Sequence, residues 1–290
     1  MVIRLAARKS PLAQQQAYTV AAALQAAGIE AEIRTFSTTG DDITDRPLSE
    51  VGGKELFVNR LRQALLVDEA DAAVHSLKDM AATSDADFFL GAVGFAEDPR
   101  DVFVGRHYAT LAQMSDGTSV GTCSPRRAAL LAKQAPKLRA VMMRGNVQTR
   151  LAKLEAGDCD ALLLAAAGLH RLNMKEIVGE YLPSEIFIPA PGQGVLAVEC
   201  LTEHKTLRQQ LNIINDKKTA IRIRAERAFA AAIDGDCHTP LGAHAQIMAG
   251  KVHLRAFYAS DGHYRAAEAQ APLHSPEEAG ETAAQIVLHQ

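Results

Sequence analysis

One local pattern occurs twice in this chain and constrains its fold more than any other feature. Val2 to Ala7 reads as a strand, followed by Arg8-Lys9-Ser10-Pro11 and a helical pattern to Ala27. Ser119 to Gly121 reads as a further short strand, followed by Thr122-Cys123-Ser124-Pro125-Arg126-Arg127 and a helical pattern through Lys133. Ser10 and Ser124 lie 114 positions apart (124 minus 10). Ser is a good helix N-cap, and Pro fits the first helical position. A strand that feeds a helix through a short loop is the unit of an α/β sheet, so its recurrence predicts repeated α/β structure. Each helix start also presents free backbone N–H groups at the positive end of a dipole. With basic neighbours, each is a candidate anion site.

The remaining pattern extends this reading. Strands are predicted at Ile29–Phe36, Ala72–Val74, Phe88–Gly94, Asp101–Val104, Leu138–Met143, Asp160–Leu164 and Val195–Cys200. Helices are predicted at Lys54–Ala70, with Phe57, Leu61, Ala64 and Leu65 on one face, and at Val147–Ala156, capped by Gly157. Thr38 to Asp42 is turn-rich, and two polar or Pro-rich breaks fall at 97–101 and 189–194. After a long helix over Asp216–Ile233 the character changes. Ala243–Met248, Val252–Tyr258 and Tyr264–Ala269 read as strands, with Asp261-Gly262 as a hairpin turn and Pro276–Leu288 as a last helix. This stretch is predicted to be a separate small α+β domain.

Charge narrows the function classes. A net charge of −3 argues against a nucleic-acid partner. Within that total, 20 Arg stand against 11 Lys. Arg offers a planar fork matched to carboxylate and phosphate, so the excess suits a polyanionic small molecule. For any single Arg, a surface ion pair is the plainer explanation. Cys123, Cys159, Cys200 and Cys237 form no CxxC pair, which argues against a zinc or redox motif. No N-terminal apolar region reads as a signal peptide, and no window of 18 apolar residues reads as a membrane span. A cytoplasmic chain with reduced thiols is expected.

Two places invite chemistry. The run Ala72 to Val74 ends abruptly in His75-Ser76-Leu77-Lys78-Asp79. Ligands of open α/β sheets bind beyond the carboxyl ends of strands, which is where Lys78 and Asp79 fall. A solvated Lys-Asp pair in an ordinary loop is the alternative. Arg8, Arg126, Arg127, Arg144 and Arg171 fall near inferred strand ends, and Arg150 one turn into a following helix. In such a positive field Asp79 keeps its negative charge at neutral pH. It then stabilises a developing cation better than it donates a proton. Cys237 lies in a Gly- and Pro-rich turn, as either an inert thiol or a covalent attachment point.

Across nearly its whole length the chain resembles the porphobilinogen deaminases, also called hydroxymethylbilane synthases. The stretches that carry the resemblance are Arg8 to Ala13, Val51 to Phe57, Val74 to Asp79, Gly121 to Arg127, Arg144 to Arg150, Ala167 to Leu172, and Glu226 to Gly242. The resemblance implies a transferase that joins four porphobilinogen units head to tail and releases ammonia, working from a dipyrromethane primer. It places the primer's thioether on Cys237 and the essential carboxylate, which stabilises an azafulvenium cation, on Asp79. It puts Lys78, Thr122, Ser124, Arg126 and Arg127 on the primer's carboxylates. Arg8, Ser10, Arg144, Arg150 and Arg171 are put on the incoming substrate or growing chain. The implied fold is α/β: two periplasmic-binding-protein-like, doubly wound lobes plus a small α+β C-terminal domain. Their expected extents are 1–95 with 193–213, 100–189, and 216–290. A monomer is expected, with no metal and no membrane partner.

Two departures from the family pattern stand out. Asp236 precedes Cys237 where Gly, Ser or Ala is typical, and its charge is expected to raise the thiol pKa and slow primer attachment. Asn59-Arg60-Leu61-Arg62 stands where the family usually carries Lys and Glu, and is expected to alter surface detail only. The rival classes are an anion-binding protein without catalysis and an inactive homologue. The first leaves the Cys237 loop and a separate third domain unexplained, and the second is set against Asp79, Lys78 and Cys237 all being in place.

Overall fold

The computed structural model describes residues 2–37, 55–83, 85–235 and 239–290. The turn-rich loop at 38–42, Val51 to Lys54, Asp236 and Cys237 lie outside the described residues. In chain order the first elements are β1 (Ile3–Arg8), α1 (Pro11–Ala26), β2 (Ala31–Phe36), α2 (Glu55–Leu66), β3 (Ala72–Ser76) and β4 (Phe88–Gly94). Next come β5 (Asp101–Gly105), β6 (Ser119–Gly121), α3 (Pro125–Gln134), β7 (Arg139–Val141), α4 (Val147–Ala156), β8 (Ala161–Ala165), α5 (Ala166–Arg171) and β9 (Glu180–Tyr181). The chain continues with β10 (Leu196–Leu201), α6 (Lys205–Asn212) and α7 (Lys217–Ala232). It ends with β11 (Leu241–Met248), β12 (Lys251–Ser260), β13 (His263–Pro272) and α8 (Glu277–His289).

The chain divides into two compact units. The first holds residues through Ala96 together with Val195–Ala220. Its sheet has the order β2-β1-β3-β10-β4. One face is an aliphatic layer of Ile3, Leu5, Val20, Leu24, Val74, Val198 and Leu211. The other packs Ala6 and Ala73 against Leu61, Ala64 and Leu65 of α2, three of the four residues that the 3.6-residue period puts on one face. The second unit holds Glu97–Gly194 and Ile221–Gln290. It contains a sheet of order β7-β6-β8-β5-β9 and an antiparallel sheet β11-β12-β13. The latter turns through Asp261 and Gly262, both at positive φ, as the tight hairpin requires.

Two strands depart from the expected parallel arrangement. β10 runs antiparallel to both β3 and β4, and β5 runs antiparallel to both β8 and β9. The consequence is positional. Leu196, opening β10, pairs with Ser76 at the end of β3, and Asp101, opening β5, pairs with Ala165 at the end of β8. In both sheets the first residue of an antiparallel strand thus joins the carboxyl ends of the parallel ones, the edge where α/β sheets bind ligands.

Candidate active site

In the first unit the site residues gather at two adjacent strand ends. β1 and β3 are parallel neighbours, with Leu5 opposite Ala72 and Ala6 opposite Ala73. Arg8 closes β1, and Ser10 caps α1 by accepting a hydrogen bond from the Ala13 N–H at 3.3 Å. Pro11 takes the first helical position. Leu77, Lys78 and Asp79 form one 3-10 turn beyond β3. The start of that turn is tied down: the Leu77 N–H donates to the Val195 carbonyl at 3.0 Å, and Gln16 Nε2 donates to Ser76 Oγ at 2.8 Å.

A charged network lies within the same sheet's α2 face. Glu199 and His75 are buried. Arg62 reaches Glu199 with two hydrogen bonds, Nε to Oε2 at 3.0 Å and Nη2 to Oε1 at 2.7 Å. His75 Nε2 lies 3.4 Å from Oε2, and the Arg62 guanidinium sits 4.4 Å from the Phe88 ring centroid. Burial pushes the Glu199 carboxyl up, but His75 and Arg62 outweigh it and bring it down to about 2. Arg62 is therefore not the surface detail expected from the departure at 59–62. A lone Arg in an amphipathic helix carries no sign of a buried partner 137 positions away.

In the second unit, Ser124 caps α3 and accepts from the Arg127 N–H at 3.4 Å. Thr122 is buried, and its Oγ1 accepts from the Ser124 N–H at 3.1 Å, shaping the turn before the cap. Arg126 and Arg127 occupy the first turn of α3, yet both are buried and both are paired with Asp101. Burial pushes the Asp101 carboxyl up, but the two guanidiniums hold it well below the usual carboxylate range. Burial also pulls Arg126 below its ordinary value, against the attraction of Asp101. Two cations share one anion here, so the cluster keeps one positive charge in excess.

Arg144 follows at the next strand end. The Met143 N–H donates to the Thr122 carbonyl at 3.3 Å, which sets this segment beside the α3 start. Asn146 caps α4, and Arg150 Nε donates to the Gly145 carbonyl at 2.8 Å. Lys153 Nζ, which the sequence reading passed over, lies 3.4 Å from the Arg144 carbonyl. Arg144 is buried, and its Nη1 has no hydrogen-bond partner among the described residues; the same holds for Arg126 Nε. Buried donors left unpaired are costly, so these atoms suit an anionic group. A carboxylate-bearing cofactor fits this donor set. Arg171 reaches the residue next to Gln193: its Nη2 donates to the Gly194 carbonyl at 2.6 Å, and burial brings it down to about 10 against the pull of Glu97. The structure thus gathers Thr122, Ser124, Arg126, Arg127, Arg144 and Arg150, while Arg171 holds the 189–194 break.

Comparison with known proteins decides the family. A model of the porphobilinogen deaminase dipyrromethane cofactor binding domain matches residues 3–209, and one of the porphobilinogen deaminase C-terminal domain matches residues 220–289. The chain belongs to the porphobilinogen deaminase family. It is thus a transferase family member of tetrapyrrole biosynthesis, and its cofactor is dipyrromethane. Among solved structures, the methionine binding protein MetQ is 11% identical, with a TM-score of 0.48, over 80% of this chain and 94% of that one. A periplasmic substrate-binding protein of an ABC transporter from Coxiella burnetii is 15% identical, with a TM-score of 0.47, over 73% of this chain and 91% of its own. The fold class is α/β: two five-stranded mixed sheets with helices, and a small α+β C-terminal part built on the β11-β12-β13 sheet and α8. Among the described residues, no helix is long and apolar enough to cross a membrane.

Three cysteines are described. Cys159 and Cys200 are buried, and burial pushes both thiols up, Cys200 to about 11, which suits packing rather than reaction. Cys123 is half-buried in the turn before Ser124.

Proposed function

We propose that this chain deaminates porphobilinogen and joins four units head to tail into hydroxymethylbilane, from a dipyrromethane primer held by a thioether to Cys237. The observation that supports the reading best is the edge chemistry of a family member: Asp79 just beyond β3, beside the β1 end that carries Arg8 and Ser10. Asp79, ionised, accepts from pyrrole N–H groups. It stabilises the azafulvenium cation left when the substrate's aminomethyl C–N bond breaks and ammonia departs. The new carbon–carbon bond then forms at a free pyrrole α-carbon, which loses its proton. When bound, the dipyrromethane supplies that α-carbon for the first addition and the tether for all four.

The cations hold carboxylates. Lys78, Thr122, Ser124, Arg126 and Arg127 hold those of the primer. Arg8, Ser10, Arg144, Arg150 and Arg171 hold those of the substrate and the growing chain. Each pyrrole brings two carboxylates, and a charge-assisted hydrogen bond contributes roughly 1.5–3 kcal/mol. The Arg excess thus has a chemical reason. The enzyme acts as a cytoplasmic monomer.

The test is the intact mass of the full chain, before and after porphobilinogen. A gain of two linked pyrrole units mapped to Cys237 supports the primed transferase, and Cys237→Ser is expected to lose it. A chain that stays bare after porphobilinogen moves the reading to an anion-binding protein or an inactive homologue.

A further inference from the structure

Asp101 belongs to no motif that the sequence singled out. It opens β5 after a polar, Pro-containing break, where it reads as part of a linker. The antiparallel course of β5 brings it instead to the carboxyl edge of the sheet, opposite Ala165. There its side chain is fully buried. Donors converge on Oδ1 from Arg126 Nη2 at 3.0 Å, Arg127 Nε at 3.1 Å, Arg127 Nη2 at 2.8 Å and Gln193 Nε2 at 2.9 Å. Oδ2 lies 2.7 Å from Arg126 Nη1.

Each guanidinium has a second anchor. Arg126 Nη1 donates to the Ile188 carbonyl at 2.8 Å, and Arg127 Nη1 to the Leu163 carbonyl at 2.9 Å. Gln193, itself buried, also donates to the Pro99 carbonyl at 2.7 Å. Three planar groups are thereby locked in one arrangement. Both cations also sit in the first turn of α3, where the helix dipole already disfavours positive charge. A second buried carboxylate here would have neutralised the pair; the residue at that place is the uncharged Gln193. Among the described residues the cluster thus sets two guanidiniums against one carboxylate, and Arg126 Nε has no acceptor.

We infer that Asp101 is a positioning residue for primer attachment: it fixes Arg126 and Arg127 together while leaving the pair one positive charge in excess, to be met by a single primer carboxylate. Gln193 steadies Asp101 without cancelling that charge. The inference rests on the reading of the chain as a primed transferase.

The experiment follows primer uptake by intact mass, using full chain produced in cells that make no porphobilinogen and then supplied with it. Wild-type chain gaining two pyrrole units at Cys237 is the reference; if it gains none, the transferase reading itself fails, and this inference with it. Asp101→Glu keeps the charge and shifts the carboxylate by one methylene. It is expected to melt within a few degrees of wild type and to load at least tenfold more slowly. A folded Asp101→Glu chain loading at the wild-type rate overturns the inference. A second measurement covers a variant that does not fold. In ¹⁵N-labelled wild-type chain, with Nε–H resonances assigned by R126K and R127K, Arg127 Nε–H is expected to exchange slowly before loading, and Arg126 Nε–H to shift on loading. Fast exchange at Arg127 Nε, or an Arg126 resonance indifferent to the primer, overturns it equally.

Discussion

Replacing Arg62 with Leu tests whether the α2 departure is structural. Arg62 holds Glu199 with two hydrogen bonds at 2.7 and 3.0 Å, and Glu199 is almost fully buried. Its carboxyl falls from an ordinary 4.5 to about 2. At 1.36 kcal/mol per pKa unit, that shift corresponds to roughly 3 kcal/mol of folding stability. The sign follows from the direction. A folded pKa below the unfolded one gives stability that is present above about 4.5 and lost as pH falls through about 2. In Arg62→Leu the carboxylate stays buried, with His75 as its remaining charged partner among the described residues. Breaking a buried pair in this way costs about 3–5 kcal/mol. With a urea slope of about 1–3 kcal/mol per molar, the midpoint at pH 7 should fall by at least about 1 M. The deficit should shrink as pH is lowered through about 2, where Glu199 becomes protonated in the wild-type chain as well. A cost below about 1 kcal/mol at pH 7, the range of exposed ion pairs, would refute the reasoning.

Four further outcomes are expected. Asp79→Asn should fold and take up primer yet lose about 10²–10³-fold in turnover, because a neutral amide cannot meet the developing cation; substantial steady-state activity would remove Asp79 from the chemistry. Arg144→Leu should stall elongation, seen by mass spectrometry as enzyme carrying fewer added units; a normal product profile would take Arg144 out of the site. Gly194→Ala should lower the thermal midpoint by several degrees, since Gly194 has φ +87° and an added Cβ would lie 2.5 Å from the Glu97 carbonyl oxygen; an unchanged midpoint would contradict this. Asp236→Gly should load primer faster than wild type, and an equal loading rate would count against a charge effect on Cys237.

The repeated strand, Ser-Pro and helix pattern was enough to place both helix caps. Ser10 and Ser124 accept the bonds expected of them, and Gly157 ends α4 in the left-handed region. These are local effects, decided within four residues, and so they are legible in a sequence. The short helices α5 and α6 were not predicted as helices: Ala166–Arg171 is a single apolar-rich stretch, and Lys205–Asn212 lacks a side-chain cap. Arg126 and Arg127 were legible as cations at a helix start, but not as a buried pair sharing Asp101. Asp101 and Arg127 are 26 positions apart, and Arg62 and Glu199 are 137 apart. Sequence by itself determined which residue types stand at which strand ends, because capping and periodicity are short-range. Only the tertiary structure decided which charges meet, because strand direction sets that: antiparallel β5 and β10 bring Asp101 and Leu196 to the edges where the parallel strands end.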